Sequence, residues 1–194
     1  MRNLFYGGKY CCRAGDGMTG TLFDALTGKG ALLFGDFELS SGRRSSYYVN
    51  IKKAYTDPLL LSAIAAAMAP HVTGGRVAGM ELGAIPIVVA VSLETGKPFS
   101  MIRKEQREHG TRSMIEGEIT AGETVDIVED VSTTGASILR SVERIREAGG
   151  RVDRAIVVVD RGEGADGALK SEGVTLIALI GADMLSNVSD SGRR

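Results

Sequence analysis

Glu129 and Asp130 are adjacent acids that end an apolar, β-branched run (Val125, Ile127, Val128) and precede a loop of small residues, Ser132-Thr133-Thr134-Gly135. Residues 125–138 read VDIVEDVSTTGASI. The run has the character of a buried strand in a parallel sheet, and the residues after the loop have helical periodicity. A loop of small residues entering a helix presents free backbone N–H groups and the positive end of the helix dipole, which suits a phosphate monoester. Carboxylates at the mouth of the same loop can accept hydrogen bonds from vicinal hydroxyls. Together these are the parts of a ribose 5-phosphate site. The plain alternative is a strand-to-helix turn capped by Ser132 or Thr133. Such a turn has no need of tandem acids.

The elements that would position these residues can be read from periodicity. Helices are expected over 21–26 (with Thr19 as cap), 58–68, 85–93 and 134–148, with a short one near Ala168. Pro58 suits a first helical turn, and Gly149-Gly150 suits a helix end. Strands are expected over 76–80, 98–103, 125–129, 155–159 and 174–180. Alternation at Phe37 and Leu39, and at Tyr47, Val49 and Ile51, predicts two further strands joined by a polar turn through Ser41-Gly42. Strands alternating with helices imply an α/β fold, an open and mainly parallel sheet with helices on both faces. Ligands of such sheets bind outside the carboxyl ends of the strands. Met80, Arg103, Asp130 and Asp160 all fall at or just past those ends.

Composition sets the bounds. A chain of 194 residues with 43% hydrophobic and 24% charged residues fits one globular domain with a real core. Its apolar run at residues 59–69 is shorter than the roughly 20 residues a membrane helix needs. A net charge of -1 argues against a nucleic-acid-binding surface, and neither a membrane nor a nucleic acid is expected as a partner. The two cysteines, Cys11 and Cys12, are neighbours and cannot build a disulfide framework, so a reduced, cytoplasmic protein is expected. Residues 1–18 are rich in Gly and Arg without periodicity, and read as a flexible tail or a start assigned too far upstream. Two ligands alone would not close a zinc site there. The domain is taken as 19–194.

Three motifs carry a resemblance. Residues 129–137 (EDVSTTGAS) resemble the phosphoribosyl pyrophosphate (PRPP) signature of type I phosphoribosyltransferases. Residues 35–50 (GDFELSSGRRSSYYVN) resemble the N-terminal substrate-side segment of orotate phosphoribosyltransferases, and residues 103–110 (RKEQREHG) resemble their mobile catalytic loop. The likeness covers roughly residues 19–183.

The resemblance implies the type I phosphoribosyltransferase fold with a small N-terminal hood. It also implies transfer of the phosphoribosyl group of PRPP to orotate, giving orotidine 5-monophosphate and pyrophosphate in pyrimidine synthesis. Donor contacts would come from Arg103, Lys104, Arg107, His109, Glu129, Asp130, Val131, Ser132, Thr133, Thr134, Gly135, Ala136 and Ser137. Catalytic roles fall to Lys104, Arg107, His109 and Asp130. Orotate would be met by Tyr47, Tyr48, Thr133 and Arg161. Magnesium (Mg2+) is the implied cofactor, held mainly through substrate and not by a protein cage. A homodimer is implied, with loop 103–112 shared across the interface.

Three positions depart from the family pattern. Arg107, Ser40 and Gly83 stand where lysines are common. Arginine keeps charge and phosphate affinity but is a poor proton donor, which leaves an acid role to Lys104 or His109. Arg43 and Arg44 fit either phosphate binding or a solvated surface. The alternatives are a phosphoribosyltransferase for another base, such as a purine, and a ligand-sensing regulator that keeps the fold.

Overall fold

The structure, a computed structural model, describes residues 18–38, 42, 44–105 and 113–191. In chain order the elements are α1 (Met18–Gly28), β1 (Leu32–Glu38), β2 (Arg44–Val49), α2 (Lys52–Tyr55), α3 (Pro58–Met68) with a short 3-10 turn (Ala69–His71), and β3 (Arg76–Met80). They continue with α4 (Ile85–Thr95), β4 (Phe99–Ile102), β5 (Ile115–Glu116), β6 (Val125–Ser132), α5 (Ala136–Glu147), β7 (Arg154–Asp160), α6 (Ala165–Ser171), β8 (Thr175–Ile180) and α7 (Ala182–Ser191).

The main sheet has the order β5-β4-β3-β6-β7-β8, parallel throughout except for the antiparallel β4/β5 pair at one edge. Its core follows from the two-residue period of a strand. Val77, Val128, Ile156 and Val158 face a layer containing α1, α3, α4 and α7. Their neighbours Ala78, Ile127, Ala155 and Val157 face Ile138, Val142 and Ile145 of α5 and Leu169 of α6. Both faces are covered, as the near-continuous apolar strands require.

Between β3 and β6 the chain reverses its direction of travel across the sheet: β4 and β5 lie to one side, β7 and β8 to the other. The carboxyl ends of the central strands are level, Met80 with Ile102 and Ser132 with Asp160. A crevice at this reversal is where an open α/β sheet takes its ligand. Strands β1 and β2 form a separate antiparallel hairpin, the expected hood, against which α1 and α7 pack.

Some boundaries differ from expectation. Thr19 lies inside α1, which starts earlier, so it is no cap. Ile51 lies outside β2 as the residue ahead of α2, and β6 runs three residues past Glu129. The chain after the PRPP-like loop becomes helical at Ala136 and not at Thr134. Helix α3 matches its expected span, with Asp57 capping it by accepting from the N–H groups of Leu59 (3.0 Å) and Leu60 (3.3 Å). The tail with Cys11 and Cys12, the positions Leu39, Ser40, Ser41 and Arg43, and the loop residues Arg107, His109 and Arg112 lie outside the described residues.

Candidate active site

Strand β6 delivers the two acids to the crevice in different environments. Glu129 is buried, at 6% exposure, whereas Asp130 is half-buried at the mouth. Glu129 Oε1 accepts from the Asp130 N–H (3.1 Å), and Asp130 Oδ1 accepts from the Val131 N–H (2.8 Å). Burial, and next the negative charge of Asp130, push the Glu129 carboxyl up to about 8. Near neutral pH Glu129 is therefore largely protonated and can donate as well as accept. A pair of this kind can hold a diol from both sides.

The loop beyond them is held in a bowl. Ser132 Oγ donates to Asp160 Oδ1 (2.7 Å), Ser132 O accepts from the Arg161 N–H (3.0 Å), and Thr133 O accepts from the Ala165 N–H (3.2 Å). Gly135 takes φ +81°, and a Cβ there would come within 3.3 Å of the Ala165 backbone. Only glycine accepts this conformation and this closeness cheaply. Gly135 is the residue ahead of α5, and no side chain caps that helix. The first amides of a helix have no partner within it. Those of α5 therefore point, uncapped, into the mouth beside Asp130, the arrangement an anion needs. The plain alternative of a Ser132 or Thr133 cap is overturned.

The turn after β3 forms the opposite wall. Gly79 lies where a Cβ would meet Val88 Cγ2 at 2.6 Å, Ala84 Cβ at 2.7 Å and the Val128 carbonyl at 2.7 Å, so its absence lets α4 start directly on the sheet. The Glu81–Leu82 peptide bond is cis. A Cβ on Gly83 would stand 2.9 Å from Asp130 Oδ2, so this turn closes against the acid. A lysine at position 83, as in some family members, would have to displace that carboxylate here.

The described cations divide. Lys104 is exposed, with its N–H donated to Glu81 Oε1 (2.9 Å). Arg103 is instead paired with Glu116 (2.9 Å) across the short β4/β5 ladder, which draws its guanidinium toward the edge of the sheet. Arg44 pairs with Asp36 across the hairpin and is solvated, which decides between its two expected roles in favour of the surface.

Only one of the two tyrosines joins Arg161. Arg161 Cζ lies 5.7 Å from the centre of the Tyr47 ring, and Tyr47 Oη is 3.5 Å from the Arg161 carbonyl. Arg161 also reaches Glu163 (3.1 Å), and its buried Nε has no hydrogen-bond partner. Tyr48 points the other way, packs on Phe37 at 5.8 Å and is 43% exposed. Adjacent residues of a strand face opposite sides, so Tyr47 and Tyr48 do not share a face and only Tyr47 stands beside Arg161.

Sequence reasoning overlooked Tyr55, whose hydroxyl is pushed up by burial and then by the Asp130 charge. It also overlooked Glu81 and Arg144, which touch the root of the cationic loop. Tyr55 lies on a four-residue helix too short for a periodic signal. Among the described residues no cluster of three or more His, Cys, Asp or Glu side chains forms a metal cage.

Similarity to known proteins agrees with this geometry. Residues 54–178 match the phosphoribosyl transferase domain family. Orotate phosphoribosyltransferase of Picrophilus torridus is 49% identical over 164 residues, covering 84% of this chain and 99% of that one. The crystal structure of orotate phosphoribosyltransferase from Aeropyrum pernix superposes with a TM-score of 0.76 at 36% identity, over 89% of this chain and 99% of that one. That of the Mycobacterium tuberculosis enzyme in complex with PRPP gives 0.70 at 30% identity, over 87% and 99%. With the sheet in place and these matches over most of its length, this chain belongs to the phosphoribosyl transferase domain family and, within it, to the orotate phosphoribosyltransferases.

Proposed function

We propose that the protein transfers the phosphoribosyl group of PRPP to orotate, giving orotidine 5-monophosphate and pyrophosphate, a step of pyrimidine synthesis. The observation that carries this reading is the uncapped amino end of α5 set beside the Glu129–Asp130 pair. The 5-phosphate takes the amides and hydroxyls of residues 132–137, and the ribose hydroxyls meet Glu129 and Asp130. In the transfer, the bond from the anomeric carbon to pyrophosphate breaks with its electron pair leaving on pyrophosphate, and a bond to the ring nitrogen of orotate forms as that nitrogen gives up its proton. Positive charge grows on the sugar and negative charge on the departing group. The Asp130 carboxylate at the sugar stabilises the first, and Lys104 with the loop cations Arg107 and His109 the second.

A magnesium ion would supply further neutralisation of pyrophosphate, with Asp130 at the mouth as the carboxylate that would support it. Such a cation commonly keeps few protein ligands and is carried largely by substrate phosphates. The orotate ring lies against Tyr47, with its carboxylate on Arg161. A guanidinium fork suits a carboxylate partner. We take the active form as a homodimer whose loop 103–112 crosses to the neighbouring site, and its place as the cytoplasm. No helix among the described residues is long and apolar enough to cross a membrane.

Pyrophosphate release from PRPP, measured with orotate, uracil, adenine and hypoxanthine with and without magnesium, tests the proposal. Turnover with orotate that needs magnesium is expected, and turnover with a purine alone would overturn it.

A further inference from the structure

The backbone at the root of the cationic loop is held by side chains from two other elements. Glu81, in the turn after β3, accepts the Lys104 N–H through Oε1 at 2.9 Å. Arg144, in the third turn of α5, spans two successive carbonyls: one guanidinium nitrogen donates to Arg103 O and the other to Lys104 O at 3.3 Å. Side chains on a helix lean toward its amino end, which lets Arg144 reach up from α5 to the carboxyl end of β4. On the other flank the Arg103 N–H donates to Met114 O (2.9 Å) and Arg103 Nε to Glu116 (3.0 Å). The Lys104 peptide is thus gripped on both faces, while its side chain stays exposed.

We infer that Glu81 and Arg144 are positioning residues for phosphoribosyl transfer, which fix the Lys104 backbone so that its ammonium meets the departing pyrophosphate. The inference rests on the transferase reading and deepens it. Glu81 belongs to the turn that closes on Asp130, and Arg144 belongs to the helix whose amino end faces the 5-phosphate. The clamp therefore ties the three segments that would surround one donor molecule. Two charge-assisted contacts to carbonyls hold a loop root far more firmly than a solvated chain would be held. A shift of about 1 Å in a positioned group costs on the order of a hundredfold in rate.

The test is a double-mutant cycle in pyrophosphate release. Arg144→Met is expected to lower kcat by about tenfold, with the KM for orotate unchanged within about twofold, because Tyr47 and Arg161 are untouched. Arg144→Lys, which keeps one donor, should recover part of the loss. In a Lys104→Ala background Arg144→Met should cost little more, since the group it positions is gone. Glu81→Ala, read in the same two backgrounds, provides a second arm should Arg144→Met fold poorly. Equal losses in both backgrounds, or undiminished turnover in Arg144→Met, would overturn the clamp while leaving the transferase reading intact. No turnover by the wild-type protein would overturn both.

Discussion

Two aspartates on β6 show what decides the role of a residue. Asp126 is fully buried at the amino end of the strand, where Oδ2 accepts from the N–H groups of Thr73 and Gly74, each at 2.7 Å, and Arg154 stands 3.5 Å from Oδ1. Asp130 stands four residues further, two repeats of the pleat, at the mouth, with an oxygen toward Gly83. Asp126→Ala should destabilise the fold by about 3 kcal/mol in urea denaturation, because it orphans buried donors. Asp130→Asn should leave the urea midpoint close to wild type and lower kcat by roughly tenfold or more, about 1.4 kcal/mol of transition-state stabilisation.

Glu129 adds a pH signature to the same strand. Its folded-state carboxyl sits at about 8, above the usual carboxylate value. Between those two values the folded form binds a proton that the unfolded chain has lost, so stability falls as pH rises through that window. Glu129→Gln, which removes the titration, should melt progressively higher than wild type between pH 5 and 9 and show no such gain at the acid end. A difference in melting temperature independent of pH would contradict the assignment. Residue types alone singled out the acids and the loop after them, because tandem carboxylates and a run of small residues have a distinctive partner chemistry, whereas Arg161 stood out only through the family resemblance. They could not separate Tyr47 from Tyr48, since only the register of β1 with β2 decides which ring faces Arg161.

Among the elements, long apolar runs were legible and short pieces were not. Strand β7 is nearly continuous Ala, Ile and Val, β3 and β6 each carry a core of apolar residues, and α5 carries Ile138, Val142 and Ile145 on one face, so these elements stand out. Strand β5 has two residues and exists because Met101 and Ile102 pair with Glu116 and Ile115. Helix α7 alternates polar and apolar residues without a marked start. The closeness of the turn after β3 to Asp130 is a tertiary fact that no local pattern announces. Gly79→Ala should therefore cost about 1–3 kcal/mol in denaturant titrations, since a Cβ there meets α4 and the β6 backbone within 2.7 Å.

Across the whole molecule, the sheet reversal between β3 and β6 gathers the acids, the anion loop and the turn with Glu81 at one edge, with the hairpin carrying Tyr47 beside them. The proposed dimer completes that edge with loop 103–112 from the partner. Mixing His109→Ala subunits with Asp130→Asn subunits should then restore about a quarter of wild-type activity, because random pairing leaves half the dimers with one intact site. Activity no greater than the sum of the two parents would argue that each chain uses its own loop.

Donor recognition turns on where the sugar phosphate is held. A crystal structure of the protein grown with PRPP should show the 5-phosphate on the amides of residues 132–137 and the ribose diol on Glu129 and Asp130. Electron density for the donor anywhere else, with that mouth filled only by water, would contradict it.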